Sequence, residues 1–394
     1  MSIMDDKRIG IYIHIPFCLN KCPYCGFYSA PPAPNLPDCG EESIRDDFIY
    51  DNICIRKYEE RIINEIKNFD SGGRTADSIF FGGGTPTLMP PIYIEEIINA
   101  IKEKFSVPYD CEITMEGNPG TFDKEKLTKY YEAGVNRLSI GIQSFDNEVL
   151  KTLGRIHDAA EAENAFSAAR AAGFDNINLD LMFGIPGQTI SKWTSTIQKA
   201  IKLNPEHISF YSLQLEEGTP YLESFERGEF DEIPDEVDRD MYHLAIRELK
   251  AAGYKHYEIS NASKPGFECR HNLKYWTGQE YVGFGDSAAS YIDGTRYTMM
   301  LGDKKDFHVN SEFDEMSEFM FTGLRLTAGV NYGMFKSRFG IDLEEAFKDR
   351  WNLLSEFFES GMLKRYVDME GNPVSLVITE KGLDVSNKIM AIFV

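Results

Sequence analysis

The chain has 394 residues, 42% of them apolar, enough to build large cores, so disorder is a poor account of it. Its 63 Asp and Glu against 41 Lys and Arg leave a formal charge of −22, which disfavours an extended nucleic-acid-binding face. No apolar run approaches the roughly 20 residues that cross a bilayer, and residues 1–8 are polar with no signal-peptide core behind them, so the expected location is cytoplasmic.

Short apolar runs predict strands at 9–17, 78–82, 112–115, 137–143, 176–183 and 207–213. Helical periodicity falls between them at 55–69, 92–105, 124–133, 159–172 and 191–203. Six β/α units in order predict an α/β protein with a parallel sheet covered by helices, curled into a full or partial barrel or left as an open doubly wound sheet. In a barrel, the polar or glycine-rich sequence after almost every strand gathers on the C-terminal rim, where such folds place their chemistry. The proline-rich, then acidic stretch 29–54 reads as an extended loop near the first strand's end. The parts divide as 1–220 for the barrel, 221–305 for a sheet extension and 306–394 for a small helical domain. That last part carries a hairpin at 363–379 that turns at Glu370-Gly371-Asn372-Pro373, a β wing.

Three of the seven cysteines crowd into Cys18-Leu19-Asn20-Lys21-Cys22-Pro23-Tyr24-Cys25. An odd count with one tight C-x3-C-x2-C cluster suits metal ligation in a reducing compartment better than a disulfide framework. Three thiolates on one loop can ligate three irons of a cubane and leave the fourth open; zinc and three unligated thiols are the competing readings. Phe81-Gly82-Gly83-Gly84-Thr85-Pro86 follows a strand and is either a tight turn or an edge where backbone approaches a small ligand. Glu116, Gln143, Arg155 and Asp180 stand at later strand or loop ends. Each has a plain alternative: an exposed cap, a buried network amide, a solvated helix charge and a helix cap.

From Tyr12-Ile13-His14-Ile15-Pro16-Phe17-Cys18 through the C-terminal part, these motifs in this order resemble the radical S-adenosylmethionine proteins of the oxygen-independent coproporphyrinogen oxidase-like group. The resemblance implies a partial (β/α)6 barrel with a winged-helix-like C-terminal domain. It also implies a [4Fe–4S] cluster on Cys18, Cys22 and Cys25 whose open iron takes the amino and carboxylate groups of S-adenosylmethionine. Tyr12, Gly82, Gly83, Gly84 and Thr85 then belong to the cofactor-binding edge. Glu116 meets the methionine amino group, Arg155 lies near its carboxylate, and Gln143 and Asp180 hold the ribose. By the same resemblance His157 organises its loop and His14 supports the cluster. Gly117 departs from the alanine common in the family's motif.

Two further departures matter. The porphyrinogen decarboxylases extend the cysteine motif by a fourth cysteine, where this chain has Phe27, and they carry a long N-terminal arm that this sequence lacks. His271-Asn272-Leu273-Lys274-Tyr275-Trp276 resembles the H-N-x-x-Y-W signature of the group's heme-chaperone branch, which implies His271 as a heme ligand; a fold-supporting hydrogen bond is the alternative. Cys269 is either an auxiliary thiolate or a buried apolar residue. The resemblance therefore implies a heme chaperone passing heme to an acceptor hemoprotein, with reduced flavodoxin or ferredoxin as electron donor. It leaves room for transient membrane association and gives no nucleic-acid partner. The competing function is a radical enzyme acting on a porphyrinogen.

Overall fold

The computed structural model describes residues 7–31 and 53–394. The expected loop at 29–54, with Cys39, falls largely outside the described residues. Six parallel strands form the centre: β1 (Arg8–Ile15), β2 (Thr75–Gly83), β3 (Glu112–Gly117), β4 (Arg137–Gln143), β5 (Ile177–Phe183) and β6 (His207–Ser212), hydrogen-bonded in that order. The crossovers carry α1 (Ile53–Asn68), α2 (Pro91–Lys104), α3 (Lys124–Ala133), α4 (Asn147–Thr152), α5 (Ala159–Ala171) and α6 (Ile190–Leu203). Their termini are written in the sequence. Asp158 and Glu161 form a reciprocal capping box on α5, and Thr189 caps α6, which ends at Asn204 in a left-handed conformation.

Alternation along the strands explains which face does what. Ile9, Ile11, Ile13 and Ile15 of β1 are fully buried in the same core as Ile62 and Ile66 of α1 and Ile97 and Ile101 of α2. The intervening residues of the strands point the other way. That second face is buried as well, yet polar: Ser78, Thr114, Ser139, Asn178 and His207 are all at most 4% exposed. Buried polar groups tend to pair; Thr114 Oγ1 has no partner among the described residues, while Ser139, Asn178 and His207 pair across a curved surface. Tyr211 of β6, for example, donates to Gln143 Oε1 of β4 at 3.1 Å although β5 lies between them. The sheet is thus a partial barrel with an apolar outside and a polar inside.

After β6 come α7 (Pro220–Glu226) and α8 (Asp235–Ala251), and then strands extend both edges of the sheet. Beyond β6 come β8 (Asn261–Ser263), antiparallel to it, and then β7 (Lys255–Glu258), antiparallel to β8. After α9 (Arg270–Trp276), β9 (Tyr281–Phe284) pairs in parallel with β1, and β10 (Ala289–Ile292), β11 (Thr295–Met300) and β12 (Asp303–Val309) continue outward. Beyond them α10 (Glu312–Gly323), β13 (Val330–Asn331) and α11 (Tyr332–Phe339) lead to a separate three-stranded antiparallel sheet with β14 (Leu363–Val367) and β15 (Pro373–Ile378). β14 and β15 are the expected wing. Asp368 braces its turn by accepting the Asn372 N–H at 2.8 Å.

Candidate functional site

The C-terminal ends of the central strands open into a cavity of about 650 Å3. The loop after β1 forms its mouth, with Cys18, Cys22 and Cys25 as half-buried free thiols on the wall. Backbone bonds splice this loop to the glycine run after β2: Gly84 N–H donates to Ile15 O and Thr85 N–H to Phe17 O, both at 2.7 Å. The splice explains the glycines. A Cβ on Gly84 would lie 2.6 Å from the Phe17 carbonyl oxygen, and Gly83 sits at φ +108°, where a Cβ would meet the His14 ring at 2.6 Å. His14 in turn ties its Nε2 to Tyr28 O at 2.8 Å, so it braces the far side of the cysteine loop.

The expected rim residues separate into two groups. Gly83, Gly84, Thr85, Glu116, Gln143, Arg155 and Asp180 line the cavity together with the three cysteines. Tyr12 and Gly82 stand behind this wall: Tyr12 bonds His14 Nδ1 at 3.1 Å, and a Cβ on Gly82 would press on Tyr12 and Glu116. Gln143 holds φ +65°, an uncommon conformation for a residue with a side chain and one that concentrates at ligand sites. Arg155 donates from one terminal nitrogen to Asn118 Oδ1 at 2.5 Å and Gly141 O at 2.7 Å, and from the other to Cys22 Sγ at 3.5 Å. A half-buried cation is thereby held against the cysteine loop. Thr85 Oγ1 accepts from Asn118 Nδ2 at 2.9 Å, which leaves its proton for Cys18 Sγ 3.5 Å away.

The donor set suits a cluster better than a single ion. Among the described residues no three His, Cys, Asp or Glu side chains converge on one metal-ion position, whereas a cubane takes its thiolates on separate irons. Glu116 supplies a second test of fit. It is half-buried, its one hydrogen bond among the described residues comes from Gly83 N–H at 3.2 Å, and loss of solvation together with the nearby Asp180 carboxylate pushes its pKa up to about 8. Such a carboxyl favours a positively charged or N–H-rich ligand, which is what a methionine amino group beside a sulfonium offers.

His271 lies elsewhere. It is 1% exposed, on α9, near the N-terminal ends of β2 and β3, whereas the cavity opens at their C-terminal ends. Glu112, the first residue of β3, accepts the backbone N–H groups of Arg270 and His271, each at 3.1 Å. The helix is therefore a plug in the lower end of the barrel. Both imidazole nitrogens are engaged, Nδ1 with Ser78 Oγ at 3.0 Å and Nε2 with Tyr275 OH at 2.8 Å, and burial pushes the pKa down to about 3. In this arrangement both nitrogens are taken by side-chain hydroxyls, and the H-N-x-x-Y-W segment packs as the plug. Cys269 is likewise buried, its thiol pushed up to about 12, so it offers no thiolate. His157 donates from Nε2 to Ile142 O at 3.2 Å, the expected loop-organising contact.

Two residues that sequence reasoning passed over now enter the site. Asn118 joins Thr85 to Arg155, and Tyr211 aims its hydroxyl at Gln143 across the barrel. Both follow from position, Asn118 two residues beyond Glu116 and Tyr211 in the inward register of β6.

Comparison with known proteins shows the family. The Radical SAM superfamily profile matches residues 12–200, and the HemN C-terminal domain profile matches residues 311–366. The protein "Heme chaperone HemW" of Bacillus subtilis is 34% identical over 396 residues, covering 97% of this chain and 98% of that one. Its namesake from Escherichia coli is 37% identical over 284 residues, covering 71% and 69%. The solved coproporphyrinogen III oxidase HemN of Escherichia coli superposes with a TM-score of 0.80 at 20% identity, covering 100% of this chain and 91% of that one, a likeness of fold. The fold and site define a radical S-adenosylmethionine protein. Within that superfamily, the chain belongs to the HemN-like family that includes the proteins named heme chaperone HemW.

Proposed function

We propose that this chain is a cytoplasmic heme chaperone that accepts heme and delivers it to an acceptor hemoprotein. Cys18, Cys22 and Cys25 hold a [4Fe–4S] cluster, and S-adenosylmethionine lies across the rim with Glu116 at its amino group and Gln143 and Asp180 at its ribose. Arg155 anchors the cysteine loop through Cys22 and stands near the methionine carboxylate. When bound, the two groups supply one-electron redox chemistry that side chains lack, with reduced flavodoxin or ferredoxin as the electron source. The observation that carries the chaperone reading over the decarboxylase is Phe27. Where the decarboxylases place a fourth cysteine, an apolar ring stands 67% exposed at the cavity mouth. With His271 occupied in the plug, the heme ligand is left unassigned. Among the described residues no helix is long and apolar enough to cross a membrane.

The test is anaerobic transfer of heme from preloaded protein to an apocytochrome, run beside a product assay on coproporphyrinogen III. Transfer without decarboxylation is the expected result. Efficient formation of protoporphyrinogen IX overturns the reading.

Glu116 gives a separate expected outcome for the cofactor. Glu116→Ala on cluster-replete protein weakens S-adenosylmethionine binding by about 1.5 to 3 kcal/mol, the usual worth of a hydrogen bond to a charged group, as read by calorimetry. A carboxyl with a pKa of about 8 that is lowered by a cationic ligand releases a proton on binding. Affinity therefore rises with pH up to about 8, and Glu116→Gln has a shallower rise. Equal slopes in the two proteins would separate Glu116 from the ligand.

A further inference from the structure

Below the cavity wall the inward side chains of β5 and β6 form a chain of hydrogen bonds whose direction the chemistry dictates. His207 pairs with Asn178 in the strand register, and Ser209 with Asp180. His207 is fully buried, and its Nδ1 lies 2.6 Å from Asn178 Oδ1. An amide oxygen only accepts, so Nδ1 carries the proton. Nε2 is then a bare lone pair and accepts from Tyr257 OH at 2.8 Å, while the Tyr257 oxygen accepts from Cys269 N–H at 3.3 Å.

With its oxygen turned to His207, the Asn178 amide must present Nδ2 upward. It donates to Asp180 Oδ1 at 2.9 Å and to Ser139 Oγ at 2.7 Å, and Ser139 passes its own proton to Asp180 Oδ2 at 2.9 Å. The reversed amide would set an oxygen against the carboxylate. Both Asp180 oxygens thus have a donor below them, and the carboxyl group lines the cavity above. Burial pushes its pKa up, and the Ser139 and Asn178 donors pull it back toward the ionised, accepting form.

We propose that His207 is a positioning residue for the Asp180 carboxylate, acting through Asn178 to aim it at a vicinal diol, the ribose of the bound nucleoside. The inference rests on the S-adenosylmethionine reading of the cavity and adds a residue that touches neither the cofactor nor the cluster. His207 sets the amide's orientation, the amide and Ser139 hold the carboxylate, and the carboxylate accepts the two ribose hydroxyls.

A double-mutant cycle on cluster-replete protein tests it, with S-adenosylmethionine as the probe and calorimetry as the readout. His207→Leu removes both the donor and the acceptor and weakens binding about tenfold. His207→Gln can present an N–H to Asn178 and a carbonyl to Tyr257, and recovers most of the affinity. In an Asp180→Asn background, His207→Leu costs little further, because the group it positions is already gone. Full additivity of the two losses, unchanged affinity in folded His207→Leu, or a His207→Gln variant as weak as His207→Leu would each overturn the proposal. If His207→Leu does not fold, Tyr257→Phe replaces it, since deleting the hydroxyl that bonds Nε2 loosens the same tautomer and is expected to cost about threefold; no loss there overturns the proposal too. Wild-type protein that carries its cluster yet fails to bind S-adenosylmethionine would instead sink the cofactor reading, and this one with it.

Discussion

Replacing any one of Cys18, Cys22 or Cys25 with alanine is expected to reduce iron and sulfide from about four each per reconstituted chain to a small residue. S-adenosylmethionine affinity should collapse with them. The size of the effect follows from the ligand count. In the proposed assignment the cysteine loop would supply all three protein ligands, and the open iron would receive the cofactor. Cys111→Ala is the matched control. Cys111 is a free thiol too, but it is buried just before β3 with its pKa pushed up to about 12, away from the cavity, and its loss should leave the cluster intact. Mössbauer spectra with metal analysis decide the matter. A tightly held zinc in the wild-type chain, or a full cubane in a triad variant, contradicts the assignment.

The loop's surroundings add a gradation among the three. Cys22 alone lies against Arg155 Nη1, and Cys18 alone against the Thr85 hydroxyl. Arg155→Gln should therefore leave the ligand count unchanged yet slow reconstitution, because it removes the cation and the hinge that Asn118 and Gly141 share.

The parallel core was legible because its strands alternate. Ile9, Ile11, Ile13 and Ile15 announce an outward apolar face, and the 3.6-residue spacing of Trp193, Ile197 and Ala200 announces one of the helices that cover the sheet. The expected strand starts at 112, 137 and 207 coincide with those of β3, β4 and β6. The cysteine loop and glycine run were legible because backbone chemistry limits what fits there: only glycine tolerates φ +108° at Gly83 and the 2.6 Å approach at Gly84.

What the sequence concealed is which buried polar residues face one another. Asn178, Ser139 and His207 read as strand interior, and their hydrogen bonds exist only because the sheet curls. Tyr12 is level with Phe80 and Thr114, below the residues that line the cavity, whereas Gly82 is level with Glu116 and set back behind its carboxylate. The short strand β12 lacked a hydrophobic signal, since it is exposed along its whole length and pairs only at the outer edge of the sheet.

His271→Ala is expected to cost the fold about 3 kcal/mol, combining the loss of a buried ring with two stranded hydroxyls. Ser78 Oγ and Tyr275 OH lose their shared partner, the Phe80 ring loses the imidazole packed at 5.3 Å, and a gap opens beside Gly10. The urea midpoint measures this directly. His271→Asn should fare better, because an amide can reach one of the two hydroxyls. The same variants separate the two roles of the residue. As a plug residue, His271 affects stability while the Soret band of bound heme keeps its position and transfer continues at temperatures where the variant stays folded. As an iron ligand, it would shift that band in a fully folded variant. The ligand role would also require α9 to leave the Glu112 carboxylate, and opening the plug in that way would strip three buried contacts to expose one nitrogen. The energetic asymmetry favours the plug. Glu112→Gln, which weakens the anchor without touching the imidazole, should reproduce part of the stability loss and none of the spectral change.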